Sequence, residues 1–417
     1  MLALGLFLPK GHTQTDPLLL SQPNSLLGAL ANPALVPRME GIVVQLPAFA
    51  SQTWFEGPTW GDFVARQGGQ RVLTMDDAIA RMNDHNRIFQ QNDLVLLGVA
   101  LVKGRTSAGI ASRFRLHAMG IYPKTLPQLI WQGNAQFVGQ LVELDHTLDM
   151  YSFHELSAWG AIGLGKLTVG ARLKWLNGVQ ALRTERNALA LHTDEEDYAI
   201  TIHSDYLLYS AGTFDYRSLQ DFTIDLPGAT LADLELFTRN AGFGLDLGVA
   251  WRSDTWEVGA SVTDLGGRIR WTRDPRAWRS QGDFGYSGVD ISAALTGDSV
   301  TFGDAIDTLR SLLHIEQTDA TFETALPTRY WLSAQHRINA LLRAGAVLSA
   351  VTLDEDTYAT LSLQGSVTLG SFVEGGAALN LRKGPQPTTL ALSASAKLGP
   401  VRASAWVDNP TAIAAPA

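Results

Sequence analysis

Large apolar side chains occupy every second position between Gly242 and Arg252: Phe243, Leu245, Leu247, Val249 and Trp251. Small or charged residues, among them Asp246, fill the positions between them. After Ser253-Asp254 the alternation resumes with Trp256, Val258, Ala260 and Val262. A period of two predicts two β-strands joined by a tight turn. In a soluble sandwich the large residues would face a core, whereas in a membrane barrel they would face lipid.

The same alternation recurs along the chain. In Lys166–Trp175, leucine, valine, alanine and tryptophan share one face, and lysine, arginine, threonine and glycine share the other. The pattern predicts strands near 40–50, 92–102, 105–118, 146–163, 166–176, 179–192, 197–209, 242–252, 255–264, 327–338, 340–352, 357–369, 371–382, 387–398 and 400–407.

The connections between these segments fall into two sets. The short ones are Lys103-Gly104, Leu164-Gly165, Ser253-Asp254, Ile338-Asn339, Leu369-Gly370 and Leu398-Gly399, and the long ones are 51–91, 119–145, 210–241 and 265–326. In the order of the strands, the long connections all fall on one side. Short periplasmic turns opposite longer external loops are typical of outer-membrane barrels. We therefore predict an all-β fold, a transmembrane antiparallel β-barrel of about 14 (14–16) strands.

A soluble sandwich with one wet face is the alternative, because Lys166, Arg172 and Lys174 lie opposite apolar residues. Two observations favour the barrel. The segments continue without a linker over more residues than one sandwich uses. Alanines and glycines opposite the apolar face suit a crowded lumen better than a surface rich in lysine and glutamate.

Two regions outside the strands have their own patterns. Leu2–Leu8 is an apolar run of signal-peptide length, with small residues before Gln14, so 1–13 is predicted to be the remnant of a signal peptide. The long loops contain short amphipathic helices. The first follows Thr74, with Asp76 and Asp77 in its first turn; the others contain Leu231, Leu234, Leu236 and Phe237, and Ala305, Leu309, Leu312 and Leu313. We expect these helices to cover the barrel mouth; a ligand gate is the alternative.

Composition narrows the function. The chain has 417 residues, of which 46% are hydrophobic, and its formal net charge of −9 argues against nucleic acid as a partner. It has no cysteine, which excludes disulfides and thiolate metal sites. No run of 18 apolar residues predicts a transmembrane helix.

No motif for catalysis is complete. His154-Glu155 lacks the second histidine of a zinc protease, and Gly285-Tyr286-Ser287-Gly288 has the wrong spacing for a nucleophile elbow. Gly163-Leu164-Gly165, followed by Gly170, lies in a predicted hairpin and lacks the helix that a phosphate loop needs. Asp194-Glu195-Glu196-Asp197 could hold calcium, but a solvated turn is the simpler interpretation. We predict no enzyme, no catalytic residue, no cofactor and no metal site.

Several segments resemble known families. "GALANPALVPRMEG", with Asn32-Pro33-Ala34, resembles the N-terminal signature of the long-chain fatty-acid-transporter-like outer-membrane barrels. "GNAQFVGQ" at Gly133–Gln140, "SVTDLGGRIRW" at Ser261–Trp271 and "LPTRYWLSAQHRI" at Leu326–Ile338 are similar to an uncharacterised Bacteroidota outer-membrane barrel family, a domain of unknown function. The resemblance implies a barrel of about 14 strands, sealed or plugged by its N-terminal segment, with no established substrate and no ligand residue that can be carried over.

Two features depart from such barrels. The sequence ends in "WVDNPTAIAAPA", without a terminal aromatic residue, and the predicted strands are odd in number. Both lead us to expect that a C-terminal strand is missing. The predicted organisation is a signal remnant at 1–13, an N-terminal plug segment at 14–39 and an outer-membrane barrel at 40–417.

Three functions compete. The first is a passive or gated channel for a hydrophobic or small solute in the bacterial outer membrane. The second is a structural or accessory barrel of an envelope or secretion complex, with a filled lumen and protein partners. The third is a soluble secreted β-rich binding protein or enzyme, which the sequence ranks last. Outer-membrane lipid is the expected partner in the first two, and a hydrophobic ligand in the first.

Three placements follow from this prediction. Phe243, Leu245, Leu247, Val249 and Trp251 should face lipid, with Asp246 and Arg252 inward. The segment 23–37 should lie inside or against the barrel, with the Asn32 amide bonded to backbone groups of the wall. The connection between Leu265 and Leu326, which includes Trp271, Trp278, Phe284 and Tyr286, should be a lid or a contact surface on the long-loop side.

Overall fold

The computed structural model is an all-β fold dominated by one antiparallel sheet of 19 strands. It describes residues 25–37, 39–58, 62–67, 70–212, 214–216, 222–224, 240–286, 315–353, 356–370, 372–382 and 388–410. Its helices are α1 (Leu26–Ala31), α2 (Met75–Ala80) and α3 (Thr125–Gln132), with a 3₁₀ turn at Ala135–Phe137.

The strands are β1 (Gly41–Gln45), β2 (Ala48–Glu56), β3 (Val64–Gln67), β4 (Gln70–Leu73), β5 (His85–Lys103), β6 (Thr106–Pro123), β7 (Leu141–Glu143), β8 (Thr147–Leu164), β9 (Leu167–Thr193), β10 (Ile200–Gly212), β11 (Phe214–Tyr216), β12 (Phe222–Ile224), β13 (Ala241–Arg252), β14 (Trp256–Trp271), β15 (Arg276–Tyr286), β16 (Glu316–Asp319), β17 (Phe322–Ala325), β18 (Arg329–Arg337), β19 (Leu342–Leu353), β20 (Asp356–Leu369), β21 (Val373–Arg382), β22 (Thr388–Leu398) and β23 (Val401–Asp408).

The main ladder runs in one direction around the sheet. It passes from β1 and β2 through β5, β6, β8, β9, β13, β14, β18, β19, β20, β21 and β22 to β23, always between antiparallel neighbours. Within the described residues, no ladder joins β23 to β1 or β2. Because each neighbour is antiparallel, the predicted short turns all lie on one edge, here called the short-turn rim, and the long connections lie on the other.

The two faces of this sheet differ as the alternation predicted. On β13, Phe243 is 58% exposed and Leu247 41%, whereas Asp246 between them is fully buried. On β9, Leu173 is 69% exposed and its neighbours Arg172 and Lys174 are buried. The large apolar residues are therefore outside and the charged residues inside, which contradicts the sandwich alternative.

The sheet curls, so that inward side chains from distant strands meet. Arg115 on β6 contacts Asp264 on β14 at 3.0 Å. The Arg329 guanidinium on β18 donates to the amide oxygen of Gln91 on β5. Phe89 on β5 packs against Leu353 on β19. The inward faces of these strands thus line a shared interior.

Most predicted strands are confirmed within a few residues. The predicted strand at 40–50 is divided between β1 and β2, and β5 begins at His85, before the predicted start at 92. Segments 166–176 and 179–192 are a single strand, β9, of 27 residues. At Gly178 the pairing with β8 shifts register, and the Gly178 N–H donates to the carbonyl of Asn240 at 2.7 Å. The polar break is therefore a bulge and not a turn.

The long connections contain more regular structure than the sequence predicted. β10 and β15 pair over eleven positions from Ile200↔Tyr286 to Ser210↔Arg276, and β7 and β16 continue this outer extension. Together with β17, these strands raise the sheet above the predicted 14 to 16. A separate apolar cluster, which includes Leu144, Leu191 and Ile202, holds the extension together, with Leu126 and Leu129 of α3 packed against it.

The aromatic residues assigned to a lid belong to this sheet. Trp271 is fully buried at the end of β14, and the Trp278 indole donates to the Ser210 hydroxyl at 2.9 Å. Phe284 packs against the outer cluster. The prediction of one long connection from Leu265 to Leu326 is therefore wrong for residues 265–286, because β14 continues and β15 pairs with β10.

One predicted loop helix is confirmed. α2 follows Thr74, with Asp76 and Asp77 in its first turn and Ala78 and Ile79 buried, but the Thr74 side chain does not cap it. The helices predicted around Leu231–Phe237 and Ala305–Leu313, and the signal remnant at 1–13, lie outside the described residues. In the part of the chain that is described, no helix is long and apolar enough to cross a membrane.

Candidate functional site

The helix α1 and the segment Asn32–Val36 lie against the inward face of the sheet. The Ser25 hydroxyl accepts from the Leu27 N–H at 3.1 Å and caps the helix, which is composed of leucine, alanine and glycine. Pro33 disfavours a helical conformation at Asn32, and the helix ends at Ala31. The short apolar helix is buried almost completely.

Asn32 bonds this segment to two strands of the wall. Its amide nitrogen donates to the carbonyls of Val249 on β13, at 3.2 Å, and Ala260 on β14, at 3.3 Å. Its amide oxygen accepts from the Ala34 N–H at 2.9 Å. The amide therefore satisfies backbone groups of the wall, as expected from the sequence.

Three inward glycines make room for this contact. A Cβ on Gly248 would lie 2.1 Å from the Asn32 amide oxygen, and one on Gly170 would lie 2.6 Å from the Pro33 backbone. A Cβ on Gly259 would lie 3.0 Å from the Asn32 amide nitrogen. We call Gly170, Gly248 and Gly259 the glycine seat. Their missing side chains let the segment approach the strand backbones.

Apolar contacts hold both ends of the segment. Leu26 and Val36 belong to a buried cluster with Trp159 and Val102, and Ala31, Ala34 and Leu35 to another with Trp331 and Val347. The Arg252 guanidinium donates to the Val36 carbonyl at 3.2 Å, and the Ser261 hydroxyl donates to the Ala31 carbonyl at 2.7 Å. The contacts come from β1, β5, β6, β8, β13, β14, β18 and β19.

A layer of buried charges crosses the interior beside α1. Arg113 binds both oxygens of Glu155, at 3.2 and 2.6 Å. Arg115 contacts Glu155 at 3.4 Å, Asp264 at 3.0 Å and Asp93 at 3.0 Å. These contacts join β5, β6, β8 and β14 through charge-assisted hydrogen bonds.

The second half of this layer reaches the helix itself. Lys174 lies between Asp246, at 2.6 Å, and Asp264, at 2.7 Å. Arg172 contacts Asp246 at 3.3 Å and donates to the carbonyls of Ala29, at 2.6 Å, and Leu30, at 3.1 Å. A cation beside the last carbonyl groups of a helix stabilises its C-terminus.

We call these eight residues the charge layer. Four cations (Arg113, Arg115, Arg172 and Lys174) balance four carboxylates (Asp93, Glu155, Asp246 and Asp264). A buried pair does not by itself stabilise a fold, but the loss of one member leaves an uncompensated charge. The layer therefore fixes how the strands and α1 sit together.

Aromatic side chains fill the interior beyond the charge layer, toward the long loops. The ring of His117 lies 4.9 Å from that of Tyr151 and 5.1 Å from that of Phe89. Trp271 and Tyr151 are buried in the same cluster as Leu326. A cavity of about 60 Å³ remains between α1 and the charge layer. It is far smaller than the roughly 300–1,000 Å³ of a typical ligand site.

The segments tested for catalytic motifs are dispersed. Glu155 belongs to the charge layer, and Gly163-Leu164-Gly165 forms the tip between β8 and β9. Asp194 accepts from the N–H groups of Glu196 and Asp197 at 2.7 and 3.3 Å, and these bonds lower its pKa. Gly285 ends β15 beside Tyr286, and Ser287 lies outside the described residues. Within the described ranges, no group of three His, Asp or Glu side chains could hold a metal ion.

The sequence analysis placed Asp246 inside but missed the charge layer as a unit. The alternation on β9 and β13 marks Arg172, Lys174 and Asp246 as inward. The signal for the charge layer in the sequence was that β9 and β13 carry opposite charges on their inward faces. Arg172 and Asp246 on these strands are direct register partners. The partners on β5, β8 and β14 depend on how the sheet curls.

Comparisons with known proteins support a family without an established activity. The model described as "Family of unknown function (DUF5723)" matches residues 33–408. A search of curated proteins gives no match.

Solved structures of hydrocarbon transporters and channels have a low overall likeness to this chain. The Pseudomonas putida toluene transporter TodX is 10% identical with a TM-score of 0.45, over 96% of this chain and 89% of that one. A deletion mutant of TodX, a monoaromatic hydrocarbon channel, has the same identity and TM-score over 91% and 87%. The Ralstonia pickettii toluene transporter TbuX is 10% identical with a TM-score of 0.36, over 92% and 93%. These scores are too low to carry an argument.

Proposed function

We propose that this chain, which belongs to the family of unknown function DUF5723, is an outer-membrane barrel that passes a hydrophobic or small solute. In this proposal, its N-terminal segment closes the barrel at rest. In this proposal residues 14–39 are the plug, 40–417 form a barrel of about 14 wall strands, and 1–13 are a signal remnant. We also propose that the chain is related to the long-chain fatty-acid-transporter-like barrels and that it comes from the Bacteroidota.

The outer face supports the membrane location. Every strand of the main ladder exposes at least one large apolar residue, as at Ile110, Leu173, Leu332 and Leu363. A soluble protein rarely exposes an apolar surface that is continuous around the molecule. Trp251 and Trp256 flank the turn at Ser253-Asp254, where a membrane interface places aromatic residues.

The seated N-terminal segment is the observation that carries the gating. Its Asn32 amide, its apolar ends and its helix carbonyls are bound by β9, β13 and β14 and by the clusters around Trp159 and Trp331. A solute has about 60 Å³ beside α1, so passage there requires the segment to move. Movement of a short segment demands less than rearrangement of the paired wall strands.

The same filled interior supports a second candidate, an accessory barrel without a passage. The charge layer pairs its members across the interior, and an aromatic layer lies beyond it. In that case the plug would be a permanent part of the core, and the surfaces that work would be the outer extension and the turns.

Conductance in planar bilayers separates the two candidates. For a channel, deletion of residues 25–37 raises the current through reconstituted protein, and Gly248→Ala raises it as well, because the new Cβ overlaps Asn32. Gly365→Ala is the matched control, since a Cβ there meets open space on the outer face of β20. Its current should equal that of the wild type.

Folding is checked by the heat-dependent gel shift of a barrel. If both plug variants keep the shift and carry no more current than the wild type, the channel proposal is wrong and the accessory barrel stands. If the currents rise, uptake of monoaromatic and short aliphatic solutes into liposomes then identifies the class that passes.

A further inference from the structure

Half of the short-turn rim is apolar to its tips. The turns between β18 and β19, β20 and β21, and β22 and β23 expose Ile338, Leu341, Leu369, Phe372, Leu398 and Val401. Leu398 is 77% exposed and Phe372 67%. We call these six residues the apolar tips.

The other half of the rim carries charged and polar turn residues beside Leu164 and Leu167, which are 59% and 40% exposed. The turns between β5 and β6, β8 and β9, and β13 and β14 contain Lys103, Arg105, Lys166, Ser253 and Asp254. Arg105 also ties two of these turns together, since it donates to the carbonyls of Gly165 at 2.7 Å and Arg252 at 3.3 Å. Such turns are suited to water.

Three charged residues near the apolar tips form ion pairs on the inward face, whereas Arg337 and Lys397, next to Ile338 and Leu398, are exposed. Glu374 lies 3.3 Å from Arg343 and 3.5 Å from Arg402, on the face opposite to Leu369 and Leu398. Their side chains are 14 to 25% exposed. The outer face is therefore apolar from Leu363 to Leu369 on β20, whereas on β18 His336 stacks on the exposed Trp256 between Leu332 and Ile338.

Strand length explains how lipid could reach this far. β18 to β23 have 9, 12, 14, 10, 11 and 8 residues, against 19, 18 and 18 for β5, β6 and β8 and 12 for β13. A transmembrane strand needs about 9–11 residues for the hydrocarbon alone. The short strands have no residues left to carry their tips through the interface into water.

From the exposure, the inward charges and the strand lengths, we propose that the apolar tips are immersed in the phospholipid acyl chains of the adjoining leaflet, while the polar turns of β5 to β14 reach water. The acyl chains are favoured as the occupant because the tips continue the lipid-facing surface of the same strands. The bilayer adapts to such an uneven edge by tilt of the protein or by a local change in thickness. This inference rests on the proposed membrane location.

The absence of cysteine from the sequence allows single-cysteine labelling without a background. The environment-sensitive fluorophore NBD is attached at Phe372→Cys and Leu398→Cys, with Lys103→Cys and Asp254→Cys as matched turn controls and Leu363→Cys for the mid-wall. The proteins are reconstituted in dioleoylphosphatidylcholine vesicles, and folding is verified by gel shift. Quenching is measured with doxyl-labelled lipid and with aqueous iodide.

The expected result is that doxyl lipid quenches the labels at 372, 398 and 363 several-fold more than those at 103 and 254, and that iodide shows the reverse order. If the tip labels behave like the label at 254 while the label at 363 is quenched by lipid, immersion is wrong and the membrane location stands; the tips would then be a surface for an apolar protein partner. If the label at 363 is also open to iodide, the membrane location itself is wrong.

Discussion

The Asp246 carboxylate serves three groups at once. It contacts Arg172 at 3.3 Å and Lys174 at 2.6 Å, and it accepts from the Asp264 N–H at 2.8 Å. All three side chains are buried. The negative charge of Asp246 therefore balances the buried cations Arg172 and Lys174. Because Asp246 lies on the inward face, the lipid-facing surface does not depend on this charge.

Asp246→Asn should leave insertion intact and lower the stability of the folded protein. It leaves two buried cations with one fewer carboxylate, a change that costs about 3–5 kcal/mol for a buried pair. The midpoint of the heat-dependent gel shift measures it. Asp205→Asn is the matched control, because its partner Arg186 is 39% exposed and the pair is worth about 0–1 kcal/mol. Equal midpoints for the two variants would contradict the role given to the charge layer.

His146 gives the outer extension a dependence on pH. Its ring lies between the Leu144 carbonyl, at 3.1 Å, and the Tyr206 hydroxyl, at 3.2 Å, and burial lowers its pKa from 6.5, against smaller opposing effects of Leu144 and Asp145. As the pH falls below about 6.5, the unfolded segment binds the proton first. The packing of β7 and β8 near His146 should therefore be fully stable above that pH and weaken below it.

Hydrogen exchange at pH 7.5 and 5.5, corrected for intrinsic rates, tests this dependence. Protection of residues 141–150 should fall at the lower pH in the wild type and stay constant in His146→Gln, which keeps a polar side chain that does not titrate. Unchanged protection in the wild type would show that the ring is not the sensitive group.

At the level of elements, the two faces of β13 predict opposite responses to charge. Leu247 lies on the outer face, between its register partners Ala171 and Val262. Leu247→Arg should reduce membrane insertion, since arginine near the bilayer midplane costs about 2–4 kcal/mol. Leu141→Arg, on the exposed outer strand β7, should insert like the wild type. Quantitative refolding into vesicles measures both, and equal yields would remove Leu247 from the lipid face.

The sequence predicted the strands of the wall, but it did not predict that β9 continues through Gly178. The faces of β9 and β13 followed directly from the period of two. Asn177-Gly178 is a dipeptide typical of hairpin turns, and it lies between the predicted strands 166–176 and 179–192. In the structure the ring of Trp271 packs over Gly178, and a Cβ there would lie 2.6 Å from the ring. That contact is 93 residues away in the chain, beyond the reach of a local pattern.

Contacts inside the molecule were also beyond prediction where they join residues that are distant in the sequence. The sequence indicated that Asn32 would bind backbone groups, because its side-chain amide can both donate and accept hydrogen bonds. It could not indicate that Gly170, Gly248 and Gly259 form the seat, since glycines occur at many inward positions. The register of β9, β13 and β14 brings these three together, and register arises from the whole sheet.

At the scale of the whole molecule, we expect the stability of the outer extension to depend on β15 and not on the length of the connection that follows it. β15 covers the edge of β10 and supplies Phe284 to the outer cluster, while Ile202 beneath is 1% exposed. Exchange of residues 274–320 for a short Gly/Ser linker removes that strand. Exchange of 287–314 alone keeps it.

Both exchanges should preserve the gel shift, because the main ladder does not contain the removed residues. Hydrogen exchange in residues 200–210 should accelerate only in the larger exchange, which leaves the backbone groups of β10 unpaired on one side. Equal protection in the two variants would show that β15 does not support the extension. If the smaller exchange also abolishes solute uptake or removes co-purifying proteins, residues 287–314 form a contact surface. If uptake and partners survive it, the outer connection is a cover, and the contact surface must lie on the turns of the opposite rim.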